Sequence, residues 1–219
     1  MCSHYQAVKD RAKLEKKFGV ANLPPPPWDL WPRYMGEFVR RPREWDSGDD
    51  AVPARELVPA RWGLISAQTR AEGLAKAEKL STFNARSETV ARSFTFKHAW
   101  QNGQFCIIPA DAVFEPDWRS GKAVPTRFTR GDGEPLGIAG IWDRYRDAAG
   151  QWRESYTMLT INADAHPLWR HYHRPTDERR SVVILPEGAY GDWLAAGPDE
   201  ARDFLQPYPA ELLVAEPSK

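Results

Sequence analysis

The residue with the most distinctive chemistry in this sequence is a cysteine directly after the initiator methionine. Once Met1 is removed, Cys2 carries a free amine and a free thiol on adjacent carbons, a pair that no internal cysteine has. The amine (reference pKa about 7.7–8.0) forms an imine with an aldehyde, and the thiol (about 8.5) then closes a thiazolidine ring on the same carbon. The alternative is that Cys2 is an incidental residue at a frayed chain end. Other parts of the sequence must decide between these two interpretations.

Length and composition predict one soluble domain. The chain has 219 residues, of which 42% are hydrophobic and 27% charged, and such a chain can bury a single core over residues 1–219. With only Cys2 and Cys106, we expect a reducing compartment and no disulfide framework. No apolar run approaches the roughly 20 residues that span a bilayer, and the N-terminal segment lacks a signal-peptide core. We therefore expect a cytoplasmic monomer with no membrane partner.

The net charge is zero, which argues against a nonspecific polycation, but the arginines are clustered. If folding brings the clusters together they would form a phosphate-binding strip; the alternative is that they are merely solvated. Ten tryptophans is a high count, and one or two of them could stack on nucleobases while the others form core. The two groups of arginines are Arg40, Arg41, Arg43, Arg55 and Arg61, and Arg170, Arg174, Arg179 and Arg180.

The first half of the chain predicts helices joined by irregular, proline-rich connections. The segment from His4 to Phe18 has the composition of a short helix, with Gly19 as its C-terminal stop. Pro24 to Trp28 is a polyproline segment, for which we favour a stiff connection packed under the tryptophan over a partner-binding motif. Arg61 to Ile65 predicts a buried strand end, and Ala67 to Leu80 predicts a helix.

The second half predicts mainly strands and hairpins, followed by two short helices. Phe105 to Pro109 is a continuous apolar run and predicts a core strand, in which Cys106 is a small buried hydrophobe. Together the elements predict an α+β fold, with a mainly antiparallel, curled or barrel-like β-sheet core flanked by short helices. Residues 114–118 continue the chain to a turn at 119–122. The other predicted strands are 126–129, 136–142, 152–161 and 181–186, and the predicted helices are 187–195 and 199–205.

Several motifs occur in a fixed order along the sequence. They are Met1-Cys2, Arg61-Trp62-Gly63-Leu64-Ile65, Asn84-Ala85-Arg86-Ser87-Glu88-Thr89, Ile108-Pro109-Ala110-Asp111 with Phe114-Glu115, Gly140-Ile141-Trp142-Asp143, and a His-Arg before Val182-Val183-Ile184-Leu185. This set resembles the SRAP family over residues 2 to about 186, and the remaining tail adds little to the resemblance. The resemblance implies a sensor of abasic sites in single-stranded DNA that crosslinks itself to the ring-opened sugar through Cys2, in DNA repair and the SOS response. It also implies a nucleoid-associated location, lyase-like or peptidase activity, and no cofactor or metal.

The resemblance assigns a role to individual residues of these motifs. Cys2 matches the nucleophile that would supply both the imine nitrogen and the thiazolidine sulfur. Asn84 would orient the amine or the sugar by hydrogen bonds, its alternative being a helix-terminal cap. Arg86 would grip a phosphate beside the lesion. Glu115 would be the general acid and base, a role that works best with a pKa raised by burial.

Three histidines compete for the remaining catalytic role. His173 fits the family pattern best, with Thr176 to Arg180 as an insertion before the following strand, while His171 and His166 stay as alternatives. Imidazole titrates near neutrality, so the histidine would move protons as the sugar opens. A zinc site in this cluster is a rival, although no nearby cysteine or second cluster completes four ligands.

The resemblance also extends to DNA contacts and leaves two other classes of function open. In one, Cys2 is the N-terminal nucleophile of an amidohydrolase or amidotransferase and its own amine is the base. In the other, Cys2 is inert and the protein holds single-stranded DNA by stacking and charge alone. The implied DNA-contacting residues are Arg86, Trp62, Trp118, Arg174 and Thr160.

Overall fold

Strands account for most of the regular structure, and the helices between them are short. The computed structural model describes residues 2–174 and 176–218. Within these residues no helix has the length and apolarity to cross a membrane. The α-helices are α1 (Arg11–Phe18), α2 (Leu74–Ala77), α3 (Lys97–Gln101) and α4 (Tyr190–Ala195). The strands are β1 (Tyr5–Gln6), β2 (Asp29–Leu30), β3 (Met35–Arg40), β4 (Glu56–Trp62), β5 (Asn84–Arg86), β6 (Phe105–Ala110), β7 (Ala112–Asp117), β8 (Val124–Arg130), β9 (Leu136–Arg146), β10 (Trp152–Asn162), β11 (Arg180–Val182) and β12 (Leu213–Pro217).

Five of these strands close into a barrel. β3 pairs with β4 and with β6, β6 pairs with β9, β9 pairs with β10, and β10 returns to β4. All of these pairings are antiparallel except that of β4 with β10. The short strands β5 and β11 extend the sheet along the C-terminal half of β10. The predicted α+β fold with a mainly antiparallel, barrel-like sheet is confirmed.

Successive residues of the barrel strands belong to two different cores, as the two-residue period of a strand requires. Phe38 and Cys106 belong to the first core, which includes Tyr5 and other residues of the N-terminal segment. Their neighbours Val39 and Ile107 belong to the second core, which includes side chains of α1, α3 and α4. The prediction of a buried Cys106 is confirmed, since this side chain is 0% exposed.

A second, open sheet carries the N-terminal segment. Its strand order is β2-β1-β7-β8-β12, and every pairing in it is antiparallel. The two-residue strand β1 is held between β2 and β7, which fixes the backbone immediately after Cys2. At the other edge, β12 pairs with β8 over five residues. The C-terminal tail therefore adds a strand to the open sheet.

Two of the predicted helices are shorter in the structure. The helix expected from His4 begins only at Arg11, because the Asp10 side chain caps it by accepting the N–H of Lys13,. It ends as predicted at Gly19, whose φ of 66° is the left-handed conformation that glycine favours,. The helix expected over 67–80 is reduced to a 3₁₀ turn, Ala71–Gly73, followed by α2. Gly73, at the junction of the two, is a poor helix former.

Candidate active site

Cys2 lies inside the protein, where the open sheet meets the barrel. Its side chain is 1% exposed. The thiol donates a hydrogen bond to the carbonyl oxygen of His4 at 3.3 Å, and the same oxygen accepts the N–H of Phe114 at 3.1 Å. Burial, with a further contribution from the nearby charge of Glu115, raises the pKa of the Cys2 thiol to about 12. The sulfur is therefore held as a neutral thiol in this environment.

Asn84 holds the backbone of Cys2. Its Nδ2 donates to the Cys2 carbonyl oxygen at 2.6 Å, and the pairing of Asn84 with Met158 of β10 fixes its position. The helix cap considered as an alternative for Asn84 is wrong, because the residue lies in a strand. Its Oδ1 is buried and has no hydrogen-bond partner among the residues that the structure describes. A buried acceptor of this kind is suited to a donor that arrives with substrate or with processing of the chain.

Glu115 supplies a carboxyl group beside the cysteine. It lies on β7, opposite Thr126 of β8, and its side chain is 3% exposed. Burial raises the pKa of the Glu115 carboxyl to about 7, since a charged carboxylate is poorly solvated in the interior. The group therefore exchanges its proton near neutral pH, as a general acid and base must.

His173 faces Glu115 from a loop. Its Nε2 is 3.5 Å from Oε2 of Glu115, and burial lowers the pKa of the His173 imidazole to about 4. The two groups are therefore not an ion pair at neutral pH, because the imidazole is uncharged there. Tyr172 bridges to Asp117 at the end of β7, and His173 has a φ of 145°. This bridge and the unusual backbone aim the imidazole at the carboxyl group.

The other two candidate histidines are placed differently. His166 Nδ1 accepts the N–H groups of Leu168 and Trp169 at 3.0 and 3.1 Å, and its Nε2 lies 2.8 Å from the carbonyl oxygen of Tyr208. These bonds give His166 a structural role, whereas His171 is exposed. Over residues 2–174 and 176–218, no group of three His, Cys, Asp or Glu side chains is arranged to hold a metal ion. His173 is thus the histidine that the fold brings to Glu115, and its catalytic role stays a prediction.

Three of the five predicted DNA-contacting residues lie at the surface near this site. The Arg86 side chain is 48% exposed and pairs with Glu178 at 2.7 Å. Arg174 directly follows His173, and its guanidinium lies 4.8 Å from the ring centroid of Trp118. Trp118 itself is half-buried.

The other two predicted contacts need correction, because both side chains are enclosed. Trp62 is 0% exposed, donates through Nε1 to the Phe83 carbonyl oxygen at 2.9 Å, and packs edge-on against Tyr5. It therefore braces the residues next to Cys2 and Asn84 rather than offering a face to DNA. Thr160 is 1% exposed and lies under Arg180, which donates to its carbonyl oxygen at 2.6 Å.

Three of the nine arginines in the predicted phosphate-binding strip make internal contacts instead. Arg40 is buried between Glu56 and Glu154, at 2.7 and 3.3 Å. Arg61 donates to the carbonyl oxygens of Gly63 and Glu78. The buried Arg180 pairs with Glu88. These three arginines stabilise loops and strand ends. They do not form the phosphate-binding strip that the sequence suggested.

The sequence analysis missed an aromatic stack beside Cys2. The His4 ring lies between Phe114 and Trp31, with centroid distances of 3.9 and 4.2 Å. The sequence signal for this stack was the Trp31-Pro32-Arg33-Tyr34 segment. Its proline favours a turn, and a turn leaves the aromatic residues on either side at the surface.

We expect Glu115→Gln to stabilise the fold much more at pH 8 than at pH 5. The carboxyl pKa is raised from 4.5 to about 7 on folding, so the native state of the wild type loses stability as pH rises across that range. Glutamine does not titrate, and the gain should reach about 1–3 kcal/mol at pH 8. Urea unfolding of both proteins at pH 5 and pH 8 measures it. An equal gain at both pH values would contradict the raised pKa.

The fold and the site define an α+β barrel protein with a candidate nucleophile in its interior. The family model described as SOS response associated peptidase (SRAP) matches residues 1–218. The chain therefore belongs to the SRAP family, and the match continues beyond the residue near 186 at which the motifs end.

The chain is also similar to named relatives. The abasic site processing protein YedK of Escherichia coli is 33% identical over 117 residues, covering 53% of this chain and 49% of YedK. The abasic site processing protein HMCES of Gallus gallus is 25% identical over 183 residues, covering 74% of this chain and 52% of HMCES. The chain spans about half the length of the curated relatives that it matches.

Solved structures show the same fold. A crystal structure of a protein from Bordetella bronchiseptica is 60% identical, with a TM-score of 0.93 and coverage of 100% of both chains. A protein from Bacteroides thetaiotaomicron, 20% identical, has a TM-score of 0.77 and covers 100% of this chain and 92% of its own.

Proposed function

We propose that this protein recognises abasic sites in single-stranded DNA and forms a covalent crosslink with them through Cys2, after removal of Met1. The observation that carries the proposal is the burial of Cys2 next to an amide and a Glu–His pair. Asn84 donates to the Cys2 carbonyl oxygen at 2.6 Å, and His173 lies 3.5 Å from Glu115. The names of the relatives, which describe abasic site processing, support the same substrate.

The Glu–His pair would first open the sugar. Neutral His173 accepts the proton of the C1 hydroxyl group, while protonated Glu115 gives a proton to the ring oxygen. The bond between C1 and the ring oxygen breaks, leaving an aldehyde and a C4 hydroxyl group. The proton on His173 then returns to Glu115 across the 3.5 Å between them. Two groups with pKa values of about 4 and about 7 suit these opposite roles,.

The aminothiol would then react twice at the aldehyde carbon. The Cys2 amine adds to C1 as one of its protons passes to the carbonyl oxygen, giving a carbinolamine. Glu115 protonates the new hydroxyl group, which leaves as water, and then takes the remaining N–H proton, so that a neutral imine and a protonated Glu115 result. The Cys2 thiol next adds to the same carbon, and its proton passes through Glu115 to the nitrogen as the ring closes. The amine is the first nucleophile because burial keeps the thiol protonated. The unpartnered Asn84 Oδ1 would accept a hydrogen bond from the freed amine.

A denaturing gel tests this function. Three single-stranded oligonucleotides are compared: one with an abasic site, one with a tetrahydrofuran analogue that cannot open to an aldehyde, and one intact. We expect an adduct that survives denaturation with the first only. Binding to all three without an adduct would point to a non-covalent DNA-binding module. Glutamine hydrolysis without an adduct would point to an amidohydrolase. The peptidase and lyase activities implied by the family resemblance stay predictions.

His173→Ala should slow crosslinking to an abasic oligonucleotide by about 10²-fold or more, and much less to an oligonucleotide carrying a simple open-chain aldehyde. The reason is that the imidazole acts at sugar opening, a step that the second substrate bypasses. Single-turnover rates on both substrates measure the difference, with the exposed His171→Ala as the control. Equal slowing on both substrates would show that the sugar-opening role is wrong, and a selective defect in His171→Ala would move the role to that residue.

Arg86→Ala should weaken binding to single-stranded DNA about tenfold at low salt. Loss of one phosphate contact should also reduce the slope of log affinity against log salt by about 0.7. Glu178→Gln should strengthen binding, because the Glu178 carboxylate, 2.7 Å from Arg86, competes with phosphate. Arg146→Ala is the matched loss of charge elsewhere, because Arg146 is exposed at the end of β9, where it pairs with Trp152 at the start of β10. An unchanged slope in Arg86→Ala would contradict the phosphate contact.

A further inference from the structure

Three aromatic rings form a continuous stack from the interior of the site to the surface. The Phe114 ring, directly before Glu115, lies 3.9 Å from the His4 ring at an interplanar angle of 13°. The His4 ring in turn lies 4.2 Å from the Trp31 ring at 7°. Phe114 is buried, whereas Trp31 is 45% exposed. His4 stacks on one face of the Trp31 ring, and the tryptophan as a whole remains exposed to solvent.

The stack is attached to the cysteine segment itself. The His4 carbonyl oxygen accepts the hydrogen bond of the Cys2 thiol at 3.3 Å. The His4 ring is fixed on its other side by Asp29, whose Oδ1 lies 2.7 Å from His4 Nε2. A flat group stacked on Trp31 would therefore lie next to the segment that carries Cys2, but outside the enclosed site.

A strained turn keeps Trp31 in place. Tyr34 N–H donates to the Trp31 carbonyl oxygen at 3.0 Å across Pro32 and Arg33. Arg33 has a φ of 76°, the left-handed conformation that glycine usually supplies at this position of a turn. The Arg33 N–H donates to the Trp62 carbonyl oxygen at 2.7 Å, and the Trp62 N–H donates to the Tyr34 carbonyl oxygen at 2.9 Å. These two hydrogen bonds hold the turn against β4. Strain retained in this way is typical of positions that serve a binding site.

The surroundings of Trp31 combine exposed aromatic rings with positive charge. Trp28 is 43% exposed, with the Lys9 ammonium 5.2 Å from its ring centroid, and Tyr34 is 50% exposed. The exposed Arg33 guanidinium donates to the Lys79 carbonyl oxygen at 2.8 Å. Flat hydrophobic rings alternating with cations match single-stranded DNA, whose bases stack and whose backbone is anionic.

From these observations, and resting on the proposed function, we infer that Trp31 is a stacking platform for the nucleobase that flanks the abasic site. The base would extend the Phe114–His4–Trp31 stack by one ring, which places the neighbouring sugar toward Cys2. Stacking requires only the flat face of a base, so the platform accepts any sequence.

The test measures how much affinity the flanking bases contribute. Oligonucleotides of equal length carry a central tetrahydrofuran site, flanked on both sides either by bases or by further tetrahydrofuran units. Because neither forms an aldehyde, fluorescence anisotropy measures binding without crosslinking. We expect the wild type to prefer flanking bases by about 5- to 150-fold, the range for stacking one base on an aromatic ring. Trp31→Ala should lower that ratio at least fivefold, and Trp31→Phe should keep part of it.

Trp152→Ala is the matched control. Trp152 is 46% exposed, close to the value for Trp31. It is the first residue of β10 and is not part of the Phe114–His4–Trp31 stack. The variant should keep the wild-type preference for flanking bases. The inference is overturned if Trp31→Ala keeps the full preference, or weakens binding to both oligonucleotides equally, since the latter indicates a structural role. Loss of the preference in Trp31→Ala together with no adduct from the wild type on a true abasic site would refute the crosslinking function and leave the platform standing.

Discussion

Cys2→Ala is expected to abolish the denaturation-stable adduct with abasic DNA. Alanine keeps the amine of the processed chain but removes the sulfur that closes the ring, so only a reversible imine can form. Cys2→Ser should leave a weaker and reversible adduct, because a hydroxyl group is a poorer nucleophile than a thiol. Denaturing gels with and without borohydride, which traps imines, separate the two kinds of adduct.

The second cysteine offers a matched control for this experiment. Cys106 is 0% exposed inside the barrel, and burial raises the pKa of its thiol well above the ordinary value. Cys106→Ala should therefore crosslink like the wild type. An undiminished, borohydride-independent adduct in Cys2→Ala would show that another nucleophile, such as a lysine, reacts with the sugar.

Glu115→Gln is expected to slow both formation and reversal of the crosslink by about 10²–10⁴-fold. Both directions need a proton moved at the leaving oxygen, the nitrogen or the sulfur, and glutamine cannot exchange one. Single-turnover rates of crosslinking, and of adduct transfer to a competing aldehyde trap, measure the two directions. Unchanged reversal with slow formation would restrict Glu115 to an earlier step.

The pH profile separates this chemical role from a structural one. The pKa of the Glu115 carboxyl is about 7, so the wild-type rate should change slope near neutral pH. Glu115→Gln should lose that change of slope while it stays folded at every pH tested. If the variant is slow but keeps the wild-type profile, the group titrating near pH 7 lies elsewhere.

The sequence predicted the residues of the site better than their surroundings. Cys2 and Asn84 occur in short motifs with a recognisable order, and hydrogen bonding brings them together. His173 could be chosen from three histidines because it immediately precedes an arginine. Trp62 could not be placed, because a motif does not show which side chains the fold encloses. Its role depends on Tyr5 and Phe83, which are distant in sequence.

Elements that depend on contacts between distant parts of the chain were predicted least well. β12 is a strand because β8 offers it an edge, although its sequence includes a proline and a glutamate. The residues of β1 appeared helical because they precede α1, and their extended form is imposed by β2 and β7. The arginine clusters raised a similar difficulty, since Glu154, one of the two glutamates that pair with Arg40, is far along the chain.

The central claim is that Cys2, freed of Met1, reacts as an aminothiol, and intact mass spectrometry tests it most directly. The protein is purified from cells and incubated with single-stranded DNA that carries one abasic site. The account predicts a chain that lacks Met1 and an adduct whose mass is the sum of this chain and the oligonucleotide minus one water. Digestion should locate the added mass on the peptide that begins with Cys2. An adduct of the same size on chains that retain Met1, or one that maps to another residue, would contradict the account.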